Sequence, residues 1–179
     1  MQFPLQSVFL ALPLENEAKW QFQALQEELK PFENILRFQN PQSPHLTLQF
    51  WSEVMEIEYN QILLQAEKIA SRHTSFSVEV TGVNTFGNRS EDHVLFLDVH
   101  FSDPLARVKK DWPWPSGKPF SPHITLARIS HPQRFAVEKK KIMKLVGDAN
   151  FPITFDRLRL YAEVDGRKQT LLQDFLFKT

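Results

Sequence analysis

The sequence predicts an α+β protein in which most strands pair antiparallel. Short apolar runs bounded by turn residues alternate with helical stripes of apolar residues. The order is strand, helix, several strands, helix, and then strands and a helix again, which suits an antiparallel sheet with outer helices. No Pro-, Gly- or Ser-rich linker divides the 179 residues. We therefore expect residues 1–179 to form a single domain, with any two lobes intertwined around one core.

The predicted elements follow from apolar periodicity and from turn residues. An apolar run that ends at a proline, Ser7–Pro13, predicts a buried first strand. A helical pattern over 15–29 puts Trp20 and Phe22 on its core face, and a clearer one over 56–73 includes Ile57 in its apolar stripe. Further strands are predicted at 35–38, 46–51, 76–85, 93–100, 123–129, 153–164 and 171–177, and further helices at 103–110 and 133–145.

Composition excludes several classes of protein. The chain has 21 Lys and Arg against 21 Asp and Glu, and this balance argues against sequence-independent binding of long nucleic acid but not of a nucleotide or an RNA end. There is no cysteine, which excludes disulfides, thiolate metal sites and a cysteine nucleophile. The N-terminus lacks a basic region, and no apolar run is long enough to span a membrane. We expect a cytoplasmic protein without a membrane attachment.

One short motif occurs twice. Ser43–Leu48 reads SPHLTL and Ser121–Leu126 reads SPHITL, so five of six positions are identical at a spacing of 78 residues. In this composition about 0.3 chance matches to H-x-T are expected, so two copies that also share Ser, Pro and Leu indicate an internal duplication. The duplication predicts two pseudo-symmetric lobes, each contributing one motif.

Each copy opens a predicted strand, and residues i and i+2 of a strand point to the same face. His45 and Thr47 therefore share one face, and His123 and Thr125 share the equivalent face of the second strand. The apolar residues between them point the other way, into the core. If a pseudo-two-fold axis relates the lobes, the two histidines and two threonines face each other across a central cleft.

Two imidazoles and two hydroxyls suit acid–base chemistry at phosphorus. Histidine titrates near neutral pH, so a neutral ring can activate a nucleophile while a protonated ring protonates the departing oxygen. The hydroxyls can donate to phosphoryl oxygens, and an in-line displacement needs the attacking and leaving oxygens on opposite sides of phosphorus. The sequence has no evident carboxylate cluster for a metal ion. We expect no metal and no other cofactor.

At these residues the sequence resembles the two-histidine (2H) phosphoesterases, whose signature is a pair of H-x-[ST]-h motifs. Within that superfamily it is most similar to the bacterial and archaeal 2′-5′ RNA ligase family, whose members act as RNA 2′,3′-cyclic phosphodiesterases. The segments VFLALPL, FGNRSEDHVLFLDV and LRLYAEVDGRKQTLLQDFLF also resemble this family. The resemblance implies a bilobal fold of mostly antiparallel sheet, with outer helices and a central cleft.

The resemblance also implies roles for individual residues. His45 and His123 would be the catalytic pair, with His45 as acid and His123 as base, although the sequence itself does not decide between these roles. Thr47 and Thr125 would hold the phosphate oxygens, and Arg128 would add a cationic contact. The implied reaction opens a 2′,3′-cyclic phosphate to a 2′-phosphate with O3′ leaving. The family also joins RNA ends reversibly through 2′-5′ linkages.

Residues next to the motifs have more than one interpretation. Strict alternation puts Arg128 on the face opposite the motif histidine, so it reaches the phosphate only if the strand bulges near Ala127, and an ordinary salt bridge is the alternative. Phe50 and Trp51 are candidates for stacking on a base, although core packing is the commoner role of such residues. The segment 111–119 is expected to be an ordered loop, since it holds three prolines.

Three functions fit these observations. The first is a metal-independent phosphodiesterase that acts on the 2′,3′-cyclic phosphate ends of RNA or nucleotides. The second keeps the catalytic pair but acts on 2′-5′ oligonucleotides or on a small cyclic nucleotide phosphate. The third binds nucleotides or RNA ends without turnover. In each case we expect a monomer whose partner is an RNA end or a nucleotide.

Overall fold

The structure is a computed structural model that describes residues 2–115, 117 and 119–178. These residues form nine β-strands and four α-helices, which confirms the α+β class. The strands are β1 (Leu5–Pro13), β2 (Leu36–Phe38), β3 (His45–Val54), β4 (Phe76–Gly87), β5 (Asp92–Val99), β6 (His123–Ile129), β7 (Phe151–Phe155), β8 (Arg157–Val164) and β9 (Arg167–Leu176). The helices are α1 (Asn16–Glu28), α2 (Glu56–Ala70), α3 (Asp103–Lys110) and α4 (Pro132–Val146).

The strands pair antiparallel in a single sheet of order β7-β4-β5-β6-β3-β1-β8-β9, with β2 added beside β6. The two motif strands, β3 and β6, are therefore neighbours at the centre of the sheet. They meet at one pair of residues, Leu46 and Ile124, which are the equivalent positions of the two motifs. The predicted antiparallel partners 76–85 and 93–100 correspond to β4 and β5, and their pairing is confirmed.

The prediction of one strand over 153–164 is wrong, because the chain breaks at Asp156 into β7 and β8. The guanidinium of Arg157 donates to both carboxylate oxygens of Asp156, at 2.7 and 2.8 Å, which stabilises the break. β7 pairs with β4 in one half of the sheet, whereas β8 pairs with β1 in the other half. The consecutive strands β7 and β8 therefore belong to opposite halves of the sheet, an arrangement that we call strand exchange.

This strand exchange requires a curled sheet. β7 and β8 are separated by one residue in the chain but by six strand positions in the sheet. Six positions in a flat sheet would span about 29 Å, whereas one linking residue reaches only about 7 Å between its neighbours. The sheet therefore curves into a half-barrel, with the motif strands β3 and β6 at its centre.

The main hydrophobic core lies between the convex face of the sheet and the helices. The apolar members of both motifs belong to this core, together with residues from all four helices. Two predicted core positions are wrong, because Trp20 is 69% exposed and Ile57 is 73% exposed. On α1 the buried positions are 18, 22 and 26, and Trp20 lies about 200° around the helix from Ala18. In the described part of the chain, no helix is long and apolar enough to cross a membrane.

Candidate active site

The central strands line a cavity of about 510 Å³ on the concave face of the sheet. β3 contributes His45 and Thr47 to its wall, and β6 contributes His123 and Thr125, so the structure brings together the four residues that the repeated motif singled out. The other lining residues discussed below are Phe9, Gln39, Phe50, Lys109, Phe120, Arg128 and Gln169.

The four motif side chains are related by a local two-fold axis. Adjacent antiparallel strands have such an axis perpendicular to the sheet, and here it passes through the Leu46–Ile124 pair. The register around this pair sets His45 opposite Thr125 and Thr47 opposite His123. A group bound on the axis would therefore meet one imidazole and one hydroxyl from each side.

Both imidazoles are held in the same orientation by the backbone. Nδ1 of His45 lies 2.7 Å from the carbonyl oxygen of Ser43, and Nδ1 of His123 lies 2.8 Å from that of Ser121. Because a carbonyl oxygen only accepts, Nδ1 must carry the hydrogen in both rings. Nε2 is then the atom that accepts a proton in the neutral ring and donates one in the charged ring, which is the requirement for a general base or acid.

Burial lowers the pKa of His45 from its ordinary value to about 4. The hydrogen bond to the Ser43 carbonyl acts in the opposite direction, and the charge of nearby His123 adds to the lowering. The burial comes from two aromatic rings, since the centroid of Phe9 lies 4.8 Å and that of Tyr161 5.4 Å from the centroid of His45. Before substrate binds at neutral pH, His45 is therefore an uncharged ring.

Arg128 reaches the cavity through a bulge in β6. On β5, Leu95 and Phe96 are consecutive, but their partners on β6 are Ala127 and Thr125, so Leu126 is the extra residue. An extra residue reverses the alternation of side chains beyond it. Arg128 consequently lines the same cavity as the motif residues. Among the described residues, no carboxylate lies within salt-bridge distance of Arg128, so the alternative of an ordinary salt bridge is not supported.

β3 carries the matching bulge at the matching residue. Leu10 and Ala11 of β1 pair with Gln49 and Thr47, which leaves Leu48 as the extra residue. Leu48 and Leu126 are 78 residues apart, the same spacing as the motifs. By this symmetry Phe50 occupies the position that Arg128 holds on β6, and Phe50 lines the cavity with 56% of its surface exposed.

Trp51, the other candidate for stacking on a base, is not among the residues that line the two cavities. The bulge that turns its neighbour into the cavity turns Trp51 to the other face, where it packs against the hydrophobic core. Its ring lies edge-on to Trp114 at 5.2 Å, and Trp114 contacts Trp112 at 4.9 Å. The tryptophans of the 111–119 loop therefore pack against the core. Within this loop, Ser116 and Lys118 lie outside the described residues.

Each bulge is held by a side chain from a helix. The Nε2 of Gln26, on α1, donates to the carbonyl of Leu126 at 3.1 Å. The Nζ of Lys109, on α3, donates to the carbonyl of Leu48 at 3.3 Å. Gln26 is buried, and its amide also donates to the carbonyl of Gln39 at 2.9 Å. These contacts orient the segments that carry Arg128 and Phe50.

Lys109 is a cavity residue that the sequence did not single out. Its ammonium lies 4.9 Å from the ring centroid of Trp112 and 4.8 Å from that of Phe120, and burial lowers its pKa. The buried residues of α3 are Leu105 and Val108. Lys109 lies four residues after Leu105 and directly after Val108, so it is at the edge of the buried stripe. That position is a signal that could have separated Lys109 from the exposed cations of the same helix.

The polar side chains of the site suit an anion. Within the described ranges, no group of three or more His, Asp or Glu side chains is placed to ligate one. The polar groups that the motifs bring to the cavity are two imidazoles and two hydroxyls, with cationic side chains beside them. This combination matches an anion whose cleavage needs proton transfer to and from oxygen, as in a phosphodiester.

Two histidine–threonine pairs related by a two-fold axis on adjacent strands define the site of a two-histidine phosphoesterase. A model of the 2′-5′ RNA ligase superfamily matches residues 13–167, and the chain belongs to that superfamily.

The chain is also similar to individual proteins and to solved structures. The chain is 24% identical to an RNA 2′,3′-cyclic phosphodiesterase of Methanothermobacter thermautotrophicus over 147 residues, which cover 78% of each protein. It is 28% identical to the protein of that name from Bacillus subtilis over 129 residues, covering 67% of this chain and 69% of the relative. The fold is similar to that of TT0787 from Thermus thermophilus, with a TM-score of 0.74, 22% identity and coverage of 96% and 98% of the two chains. It is also similar to E. coli LigT in its apo form, with a TM-score of 0.71, 22% identity and coverage of 99% and 100%.

Proposed function

We propose that this protein hydrolyses 2′,3′-cyclic phosphates at the ends of RNA or on nucleotides, without a metal ion, and releases 2′-phosphates. The observation that carries the proposal is the matched pair of imidazoles. Each ring is locked by the carbonyl two residues before it, and each directs Nε2 toward a shared cavity across a two-fold axis. The names of the curated relatives are consistent with this reaction.

The proposed reaction is one in-line displacement. A water oxygen attacks phosphorus and gives its proton to Nε2 of the neutral histidine, while the bond from phosphorus to O3′ breaks. The protonated histidine gives its Nε2 proton to O3′, so the products are a 2′-phosphate and a free 3′-hydroxyl. Thr47 and Thr125 donate to the non-bridging oxygens, and Arg128 offsets their charge. If the 5′-hydroxyl of a second RNA end takes the place of water, the same proton transfers join the two ends through a 2′-5′ linkage.

The pair, rather than either ring alone, sets the pH dependence. Burial gives His45 a pKa of about 4 before substrate binds, which suits a base, whereas the resemblance to the family assigns it the acid role. A phosphate anion bound between the rings raises the pKa of His45, so the acid role requires proton uptake when the substrate binds. We expect a bell-shaped profile of kcat/KM whose two pKa values belong to the coupled pair.

The test is turnover of a panel of substrates in excess EDTA. The panel contains adenosine 2′,3′-cyclic phosphate, a short RNA ending in a 2′,3′-cyclic phosphate, and 2′-5′-linked diadenosine, with the product isomer identified by chromatography. The proposal predicts hydrolysis of the cyclic phosphates to 2′-phosphates in EDTA. Hydrolysis of the 2′-5′ linkage alone would contradict the proposal and indicate that the substrates are 2′-5′ oligonucleotides. Tight binding of 2′-AMP without any turnover would indicate a binding protein.

We also propose that residues 1–179 act as a single domain and as a monomer, because both motifs line one cavity within one chain. The expected mass in solution by light scattering is about 21 kDa. Mixing a His45 variant with a His123 variant should then restore no activity. Recovery of activity on mixing would show that two chains share a site.

A further inference from the structure

A second cavity of about 440 Å³ adjoins the first on the concave face. The two share five lining residues, so they form one continuous groove with the catalytic histidines at one end. The shared residues are Phe9, Gln39, Phe50, Arg128 and Gln169. The proposed displacement at phosphorus uses only the first cavity and leaves the second without a role.

The second cavity is lined by cations. Arg37, Arg128 and Lys168 all contribute to its wall, and its described lining includes no acidic residue. Arg37 of β2 and Arg128 of β6 are direct antiparallel partners, an arrangement in which like charges destabilise a sheet. Among the described residues, no carboxylate lies within salt-bridge distance of any of the three cations. An anion bound between them would relieve this repulsion.

Aromatic surface lies beside these cations. Phe50 is 56% exposed and lines both cavities. Phe38 is half-buried against the hydrophobic core and lines the second cavity. An exposed phenylalanine among cationic side chains is the combination with which proteins bind single-stranded nucleic acid, because a base stacks on the ring while a cation contacts the phosphate.

Two residues with an uncommon backbone conformation line the same cavity. Ser7 has φ of 50° and Gln169 has φ of 59°, in the left-handed region that residues other than glycine seldom adopt. Gln169 accepts a hydrogen bond from the hydroxyl of Ser43 at 2.7 Å, which joins the β8–β9 hairpin to the segment before the first motif. Such conformations concentrate at binding sites, and Gln169 lies next to Lys168 in the wall of the second cavity.

We propose that the second cavity binds the nucleotide on the 5′ side of the cyclic phosphate, with its phosphate between Arg37, Arg128 and Lys168 and its base against Phe50 and Phe38. The inference rests on the proposed function and names its substrate class, an oligonucleotide of two or more residues. One ribose separates a cyclic 2′,3′-phosphate from the 5′-phosphate of the same nucleoside. Two adjoining phosphate sites that share Arg128 fit this connectivity.

The test compares three substrates that differ only on the 5′ side: adenosine 2′,3′-cyclic phosphate, its 5′-phosphorylated form, and the dinucleotide ApA with a terminal 2′,3′-cyclic phosphate. Hydrogen bonds to charged groups support a gain of about tenfold in kcat/KM for the 5′-phosphate, and base stacking supports a further gain of about tenfold for the dinucleotide. Equal kcat/KM for all three substrates would overturn the proposal. Equal kcat/KM for the 5′-phosphorylated substrate and the dinucleotide would show that the second cavity binds only a phosphate. That result would overturn the proposal that the substrate is an oligonucleotide.

The matched variants are Arg37→Gln and Lys168→Gln, with Lys140→Gln on the exposed face of α4 as the control. Each test variant should lower kcat/KM for the dinucleotide by about five- to tenfold, mainly through KM, and leave the unphosphorylated substrate within about twofold. Arg37→Gln should not lower the melting temperature, because it removes one of two facing like charges. An equal loss on every substrate would overturn the proposal. Failure of the wild type to hydrolyse any cyclic phosphate would instead contradict the proposed function itself.

Discussion

Protonation of His45 should destabilise the folded protein, and the size of the effect can be worked out from its environment. The folded-state pKa of about 4 is depressed from the ordinary value of 6.5, which describes the unfolded chain. Between these values the unfolded chain binds more protons than the folded one, so the free energy of unfolding falls as the pH falls. The stability is fully present above pH 6.5 and is lost as the pH approaches 4.

The linkage relation gives the magnitude. Between pH 7.5 and pH 4.5, a change in pKa from 6.5 to about 4 removes about 2–3 kcal/mol from the free energy of unfolding. His45→Asn is the appropriate reference, because an asparagine amide can still donate to the carbonyl of Ser43 but does not titrate. The carboxylates titrate in both proteins and cancel in the difference.

The measurement is urea unfolding of wild type and His45→Asn at half-unit steps from pH 7.5 to pH 4.5. The free energy of unfolding of the wild type should fall by about 2–3 kcal/mol more than that of the variant. An NMR titration of the ring, assigned by its absence in His45→Asn, should have its midpoint near pH 4. A difference that stays constant across this range would refute the argument that burial holds His45 uncharged.

Three further predictions concern the bulges and the cavity wall. Gln26→Leu should lower the free energy of unfolding by about 1–3 kcal/mol, because two carbonyls lose a buried donor. It should also lower kcat, because the segment that carries Arg128 loosens. An unchanged urea midpoint would count against a stabilising role of Gln26. Phe50→Ala should raise the KM for RNA substrates by about tenfold with little change in the free energy of unfolding. Trp51→Ala should lower the free energy of unfolding by about 2–3 kcal/mol and leave the KM of the folded enzyme unchanged. The reverse pattern would contradict the placement of Phe50 in the cavity and of Trp51 against the core. Thr47→Val and Thr125→Val should each lower kcat by about a hundredfold while the fold persists by circular dichroism, and a loss confined to KM would argue against hydrogen bonds that strengthen in the transition state.

The duplicated motif made the positions of the four motif side chains on the central strands predictable. Strand alternation alone placed His45 with Thr47 and His123 with Thr125 on one face, and the structure agrees at all four positions. The bounds of β6 and α3 also agree with the predicted 123–129 and 103–110. These features depend on residues close together in the chain, where local periodicity carries the information.

The features that the sequence did not predict depend on contacts between distant residues. The break at Asp156 requires β7 and β8 to find partners in opposite halves of the sheet, and the apolar periodicity of 153–164 contains no sign of it. The bulges at Leu48 and Leu126 are held by Lys109 and Gln26, which lie 61 and 100 residues away in the chain. Those bulges decide that Phe50 faces the cavity and that its neighbour does not.

The most direct test of the paired-histidine mechanism is the kcat/KM of His45→Asn, His123→Asn and the double variant on adenosine 2′,3′-cyclic phosphate in EDTA. Each asparagine can keep the hydrogen bond to the backbone carbonyl while removing the Nε2 that moves a proton. The mechanism predicts that each single variant loses about 10²–10⁴-fold, and that the double variant loses less than the product of the two losses, because the rings act as a unit. A folded single variant that retains more than about one-tenth of the wild-type kcat/KM would contradict it.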